Sequence, residues 1–131
     1  MSFRTHLSQL VISIIISPIA LVLAMPAQAD NYGAIAYSQS TGISGSSYDY
    51  SSPSGAEARA LRECESTSSS GDCNIVISVQ NACAALATTP NGAYGSGWGT
   101  ESFIAEHHAM VTCNQYGQNC TILQWVCTTR D

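Results

Sequence analysis

Cys64-Glu65-Ser66-Thr67-Ser68-Ser69-Ser70-Gly71-Asp72-Cys73-Asn74-Ile75-Val76-Ile77-Ser78-Val79-Gln80-Asn81-Ala82-Cys83 decides how the chain is read, because its plan returns at Cys113, Cys120 and Cys127. In both places a helix-like run ends in Cys. A short polar loop leads to a second Cys, an apolar β-branched run follows, and a third Cys closes the frame. The echo extends outward. Ala34-Ile35-Ala36 returns as Ala85-Leu86-Ala87, Gly42-Ile43-Ser44-Gly45-Ser46 as Gly92-Ala93-Tyr94-Gly95-Ser96, and Tyr48 as Trp98. Ala60-Leu61-x-x-Cys64 returns as Ala109-Met110-x-x-Cys113, and Cys73-Asn74-Ile75-Val76 as Cys120-Thr121-Ile122-Leu123. A unit of about 50 residues used twice suits a duplicated domain rather than a solenoid, which needs three or more repeats.

Each unit reads as strand, glycine-rich loop, helix, short loop, strand. In the first unit a strand is expected near Gly33 to Ser38 and a helix from about Gly55 to Glu65, with Ser54 and Glu57 as a capping box. Ala56, Ala60, Leu61 and Cys64 share one arc of that helix and face inward. The β-branched run Asn74 to Val79 reads as the next strand. In the second unit the strands fall near Cys83 to Thr88 and Thr121 to Cys127. The helix between them falls near Ser102 to Cys113, with Ala105, Ala109, Met110 and Cys113 inward. The β-α-β-β-α-β order predicts a two-layer α+β fold, helices on one face of a mainly antiparallel sheet, as in the ferredoxin-like arrangement. Residues 75–88 also admit a reading as one long bent strand.

Upstream, Arg4, the apolar run Leu10 to Leu23 and Ala27-Gln28-Ala29 before Asp30 read as a cleavable signal peptide over residues 1–29. Pro18 and the shortness of the run argue against an anchor, which needs about 20 apolar residues. Residues 30–131 then form a single exported domain, periplasmic or secreted and without a membrane anchor. It is made of two repeats, about 31–82 and 83–127. Three arginines and no lysine stand against nine carboxylates there, leaving −6 where the whole chain carries −5. With no basic patch, nucleic acids and anionic membranes are excluded as partners.

Export places six cysteines in an oxidising compartment. Symmetry selects Cys64–Cys73, Cys113–Cys120 and Cys83–Cys127, the last joining the two units, from the pairings that six cysteines permit. Zinc-type Cys-x2–4-Cys spacing is absent, so no metal is expected, and full pairing leaves no thiol as a nucleophile.

Glu57 and Glu106 hold the same repeat position. As a pair they would suit general acid–base work, although stabilisation of a helix N-terminus also accounts for them. His107 and His108 are adjacent on one helix and point about 100° apart, which rules out the i,i+4 metal clamp. Glu57, Glu106 and His108 are therefore the only catalytic set on offer, and no Gly-x-Ser-x-Gly elbow accompanies them. The two glycine-rich loops are more informative. One carries Tyr48 and Tyr50, the other Tyr94 and Trp98, in the Tyr, Trp, Ser and Gly composition of adaptable recognition loops. Pseudo-twofold packing of the units is expected to merge them into one aromatic surface. No cofactor is implied.

Tyr32-Gly33-Ala34-Ile35-Ala36-Tyr37-Ser38, the Gly-x-x-Gly loops, Ala60-Leu61-x-x-Cys64, Cys73-x-Ile75-Val76 and Asn81-Ala82-Cys83-Ala84-Ala85-Leu86-Ala87 together resemble the domain-of-unknown-function family numbered 4189. The resemblance covers essentially Asn31 to Cys127. It implies a small exported bacterial protein and supplies no catalytic residues to carry over. The expected function is a secreted or periplasmic non-catalytic binding module for a protein or an envelope glycan, an inhibitor of a hydrolase being its sharper form. The alternatives are a small exported enzyme using Glu57, Glu106 and His108, and a structural envelope or stress protein.

Overall fold

The computed structural model describes residues 14–16, 18 and 30–128. The signal peptide expected over residues 1–29 lies outside them, apart from Ile14 to Ile16 and Pro18. Eight elements follow in order: β1 (Tyr32–Ser38), β2 (Ile43–Tyr50), α1 (Pro53–Ser68), β3 (Asn74–Gln80), β4 (Cys83–Thr88), β5 (Tyr94–Gly99), α2 (Ser102–Tyr116) and β6 (Thr121–Cys127). They build two antiparallel three-stranded sheets, ordered β2-β1-β3 and β5-β4-β6. The α+β class and the duplication stand as read.

The central strands explain the layering. On β1, Ala34 and Ala36 pack against Ala56, Ala60 and Cys64 of α1, while Ile35 and Tyr37 point the other way. On β4, Cys83, Ala85 and Ala87 pack against Ala105, Ala109 and Cys113 of α2, while Ala84 and Leu86 point the other way. The large residues of both sheets meet in one core with Val79 and Val126. Each unit is thus a helix on a sheet, and the two units stack sheet to sheet. What reads from sequence as one sheet is two, and the helices cover opposite outer faces.

Small residues on the helix-facing side let each helix lie directly on the strands. A Cβ on Gly45 would stand 2.3 Å from Ala60 O, and one on Gly95 would stand 2.1 Å from Cys113 N. On Gly97 it would stand 2.3 Å from Ala109 N. The segments read as glycine-rich loops are in fact strands β2 and β5, so each unit runs β-β-α-β. Glycine serves there as the absent side chain beneath a helix.

Helix α1 begins two residues earlier than read. Ser52 is its cap, its hydroxyl accepting from Gly55 N at 3.1 Å, and Pro53 fits the first turn, where no backbone donor is needed. The Ser54–Glu57 box does not form; Glu57 Oε1 instead accepts from Ser78 Oγ at 2.7 Å, tying α1 to β3. At the far end Ser69 adopts φ 51° and donates to Glu65 O. The Glu65 carboxylate then accepts from Gly71 N and Cys73 N at 3.0 and 2.9 Å, folding the short loop back onto the helix.

Disulfides join Cys64–Cys73, Cys113–Cys120 and Cys83–Cys127. The first two close the equivalent helix-to-strand loops. The third corrects the expected link between units: Cys83 and Cys127 are direct partners in the β4–β6 ladder, inside the second unit. The first-unit equivalent is the Tyr32–Gln80 pair of β1 and β3. Cys83 therefore opens the second unit and is not the repeat partner of Cys127.

The units join at a short seam. Asn81, at φ 49°, ends β3 and donates through its backbone to Asn31 O at 2.8 Å. Asn31 N donates to Asn81 Oδ1 at 3.0 Å. Thr128 N donates to Ala82 O at 2.9 Å, and the fully buried Thr128 hydroxyl lies 3.0 Å from Asn31 O. The strand break at Asn81 and Ala82 also settles residues 75–88 as two strands. Among the described residues no helix is long and apolar enough to cross a membrane.

Candidate binding cleft

Duplication places the β1–β2 turn beside its repeat equivalent, the β4–β5 turn. Gly42 (φ 73°) and Gly92 (φ 90°) make the two turns possible, since side-chain-bearing residues rarely adopt such angles. Gln39 spans the gap, its Nε2 donating to Gly92 O at 3.2 Å. Between the turns lies a hollow of about 330 Å³, lined by Tyr37, Ser40, Thr41, Thr88, Thr89 and Asn91 among others.

Tyr37 forms the floor of this hollow and is only 2% exposed. Its ring stands edge-on to Tyr94, centroids 5.4 Å apart. Burial, then the nearby Asp72 carboxylate and Tyr94, push the Tyr37 phenol pKa above its ordinary value, so it remains a hydroxyl at neutral pH.

One turn is held by a carboxylate. Asp72 accepts from Ser38 Oγ at 2.5 Å, from Ser40 N at 3.1 Å and from Ser70 Oγ. These hydrogen bonds, Ser38 first, hold its pKa well below the usual aspartate range. A depressed folded pKa means that the tie is present above the ordinary carboxylate range and is lost only as pH falls through the lowered value. In a carbon-detected titration Asp72 is expected to show the lowest midpoint of the aspartates. Asp72→Ala is expected to speed amide exchange at Ser40 while leaving α2 unchanged. A midpoint near the ordinary value of about 3.9 would contradict the tie.

A second cleft, of about 540 Å³, opens on the other side of Gln39. Tyr94 and Ser96 come from β5, Thr112 and Tyr116 from α2, and Val76 from β3 of the other sheet. Ser96 Oγ donates to Val76 O at 3.1 Å across the sheet interface and fixes that wall. Tyr116 is 71% exposed at the end of α2, three residues after Cys113 and inside the loop that the Cys113–Cys120 bridge closes. No charged side chain lines either hollow among the described residues.

The four aromatic residues expected to form one surface are divided among three hollows. Tyr94 lines the cleft just described. Tyr48 and Tyr50 flank another, of about 520 Å³, with Arg59 and Glu63, and Tyr50 also packs against the α1 core. Trp98 borders a third, of about 240 Å³, with Ser78, Val79, Gln80 and Ala82. Tyr48 and Trp98 are each 61% exposed, so neither caps the core. The pseudo-twofold axis explains the division, because it carries equivalent strands to opposite edges. Strand β2 lies across from β6, where Ser44 and Ser46 bond Gln124 at 3.0 and 3.1 Å, whereas β5 lies across from β3.

Glu57 sits on α1, whereas Glu106 and His108 sit on α2, and the helices share no contact. Two sheets stacked about 10 Å apart separate them, so the carboxylates do not face one substrate. His108 Nδ1 lies 2.9 Å from Trp98 O; because a carbonyl only accepts, that nitrogen carries the hydrogen. Sequence reasoning missed Gln39, Thr112 and Tyr116. Only Tyr116 left a signal, as an aromatic among polar residues just past Cys113.

The fold defines a small duplicated α+β domain with a preformed polar and aromatic cleft. Residues 32–127 match the family described as Domain of unknown function (DUF4189), and the chain belongs to that family. Among solved structures it is similar to the NMR structure of Rv1813c from Mycobacterium tuberculosis, at 28% identity and a TM-score of 0.55. That match covers 98% of this chain and 100% of the other. No curated protein matches the chain.

Proposed function

We propose that this protein is a non-catalytic binding module, periplasmic or secreted, whose partner seats on the Tyr94–Tyr116 cleft. The observation that carries the reading is the cleft itself: about 540 Å³, within the range of ligand sites, and walled by regular elements rather than free loops. Four of its side chains project from β5 and α2, and a disulfide pins the helix end that presents Tyr116. A site already ordered loses little conformational freedom on binding, which favours affinity. Three disulfides accord with action in an oxidising compartment.

The test is a photo-crosslinking amino acid placed at Thr112, on the cleft wall, or at Arg62 on α1, in cells that export the chain. An adduct is expected from position 112 and not from 62, and Tyr116→Ala is expected to remove it. Equal labelling from both positions, or none from 112, would sink the proposal.

A further inference from the structure

We infer that the ligand of this site is an uncharged oligosaccharide, lying across both hollows with Gln39 at their junction. This rests on the binding reading above and adds the ligand's chemical class.

The lining chooses among ligand classes. Among the described residues no charged side chain lines either hollow, and the carboxylate beside them, Asp72, is taken up by Ser38, Ser40 and Ser70. A charged ligand would therefore be desolvated without a free counter-ion, which is costly. An apolar ligand would cover Tyr37, Thr88 and Asn91 and leave their polar groups unpaired. A neutral, hydroxyl-rich ligand meets neither penalty. Serine and threonine hydroxyls both donate and accept, as sugar hydroxyls do. Tyrosine offers an apolar ring face and a polar tip, matching a sugar's C–H face and hydroxyl rim. Tyr94 and Tyr116 provide two such rings in the larger cleft.

The hydrogen-bond directions in the smaller hollow are already set. Ser38 gives its one hydrogen to Asp72, so it accepts from Thr41 Oγ1 at 2.7 Å. Thr41 has thereby spent its hydrogen and, already accepting from Ile43 N at 3.4 Å, presents its remaining lone pair. On the facing turn Thr89 Oγ1 donates to Asn91 Oδ1, which fixes the amide and leaves its NH2 to donate. Gln39 gives one NH2 hydrogen to Gly92 O, so its other hydrogen is left to donate and its oxygen to accept. Tyr37 lies at the base, and no hydrogen bond within the described residues reaches its hydroxyl. Since no fully buried polar side-chain atom lacks a partner among those residues, that hydroxyl is not sealed in the core and opens to the hollow that Tyr37 lines. Acceptors and one Gln39 amide hydrogen on one turn, the Asn91 donor on the other and a phenol beneath form a pattern for a ligand bearing both donors and acceptors.

Two features make the hollows one site. Gln39 lines both, and the edge-on pair Tyr37 and Tyr94 places one ring in each. An occupant that fills both hollows, of about 540 and 330 Å³, is larger than a single sugar ring.

The experiment is a titration of the oxidised, 15N-labelled protein with maltotriose, cellotriose and tri-N-acetylchitotriose. A trimer of galacturonic acid is the charged comparison. At least one neutral trimer is expected to give saturable amide shifts at Gln39, Thr41, Asn91, Gly92 and Tyr94, and the acidic trimer none. Tyr94→Ala and Tyr116→Ala are each expected to weaken binding tenfold or more, with the Tyr116 variant keeping its melting temperature. Silence from every neutral trimer, or shifts confined to Tyr48 or Trp98, overturns the inference. If adducts still form from position 112 in that case, the cleft binds another class and the module reading survives. If both experiments fail, both fall.

Discussion

Gly95→Ala is expected to cost more than about 3 kcal/mol, enough to unfold much of the protein at 37 °C, although it adds a single methyl group. The methyl would stand 2.1 Å from Cys113 N and 2.7 Å from Cys113 Cα, both on the backbone of α2. No rotamer change relieves a backbone clash, so the helix must lift. Lifting α2 opens the packing of Ala105 and Ala109 on β4 and strains the site where Cys113 is bridged. Conformational preference is not the cause, since Gly95 is not among the residues with positive φ. Gly42→Ala supplies the control: its φ is 73°, yet nothing lies within 4 Å of the added carbon. That change is expected to cost only the left-handed penalty, about 1–2 kcal/mol. Chemical denaturation of both variants tests the contrast. Equal, small losses would mean that α2 does not rest on β5.

Reduction of the disulfides is expected to abolish the folded state at room temperature. In the chain-entropy picture the Cys83–Cys127 bridge, closing 44 residues, contributes about 4 kcal/mol. The bridges spanning 9 and 7 residues contribute about 2.5 kcal/mol each. Small domains have total stabilities of about 5–15 kcal/mol. The cores here offer little to replace the bridges, because their helix-facing layers are built largely of alanine. Cys83→Ala with Cys127→Ala is expected to lower stability more than removing either short bridge. Near-ultraviolet circular dichroism with and without reductant reads the first result, and urea unfolding of the three double variants reads the second. A reduced protein that keeps its native spectrum would show that packing alone suffices.

The duplication was legible because cysteine spacing survives the drift of loops, and because alternating small and large residues mark both central strands. Strands β2 and β5 were hidden for a physical reason. Gly95-Ser96-Gly97-Trp98-Gly99 carries the two-residue period of a strand, but its inward positions are glycine, and glycine is also the vocabulary of turns. Only the helix lying above explains them. The same symmetry misled at Glu57 and Glu106, which match in sequence and yet lie on opposite outer faces. Cys83 misled in another way: it ends one cysteine triplet in sequence while opening the second unit in space. The cleft was least visible. Gln39, Val76, Ser96, Thr112 and Tyr116 come from a turn, two strands and a helix, and no local pattern links them.

The seam of Asn31, Asn81, Ala82 and Thr128 has a topological consequence. It brings Asn31 and Thr128, close to the two ends of the described domain, within one hydrogen bond of each other, beside the link between the two halves. Between Asn31 and Thr128 the backbone is thus nearly a closed ring. A few residues joining Thr128 to Asn31 would permit a circular permutant cut between Asn81 and Ala82. In that permutant the second half precedes the first, while both sheets, all three bridges and the cleft stay as they are. The order of the halves along the gene is then a matter of history rather than of folding.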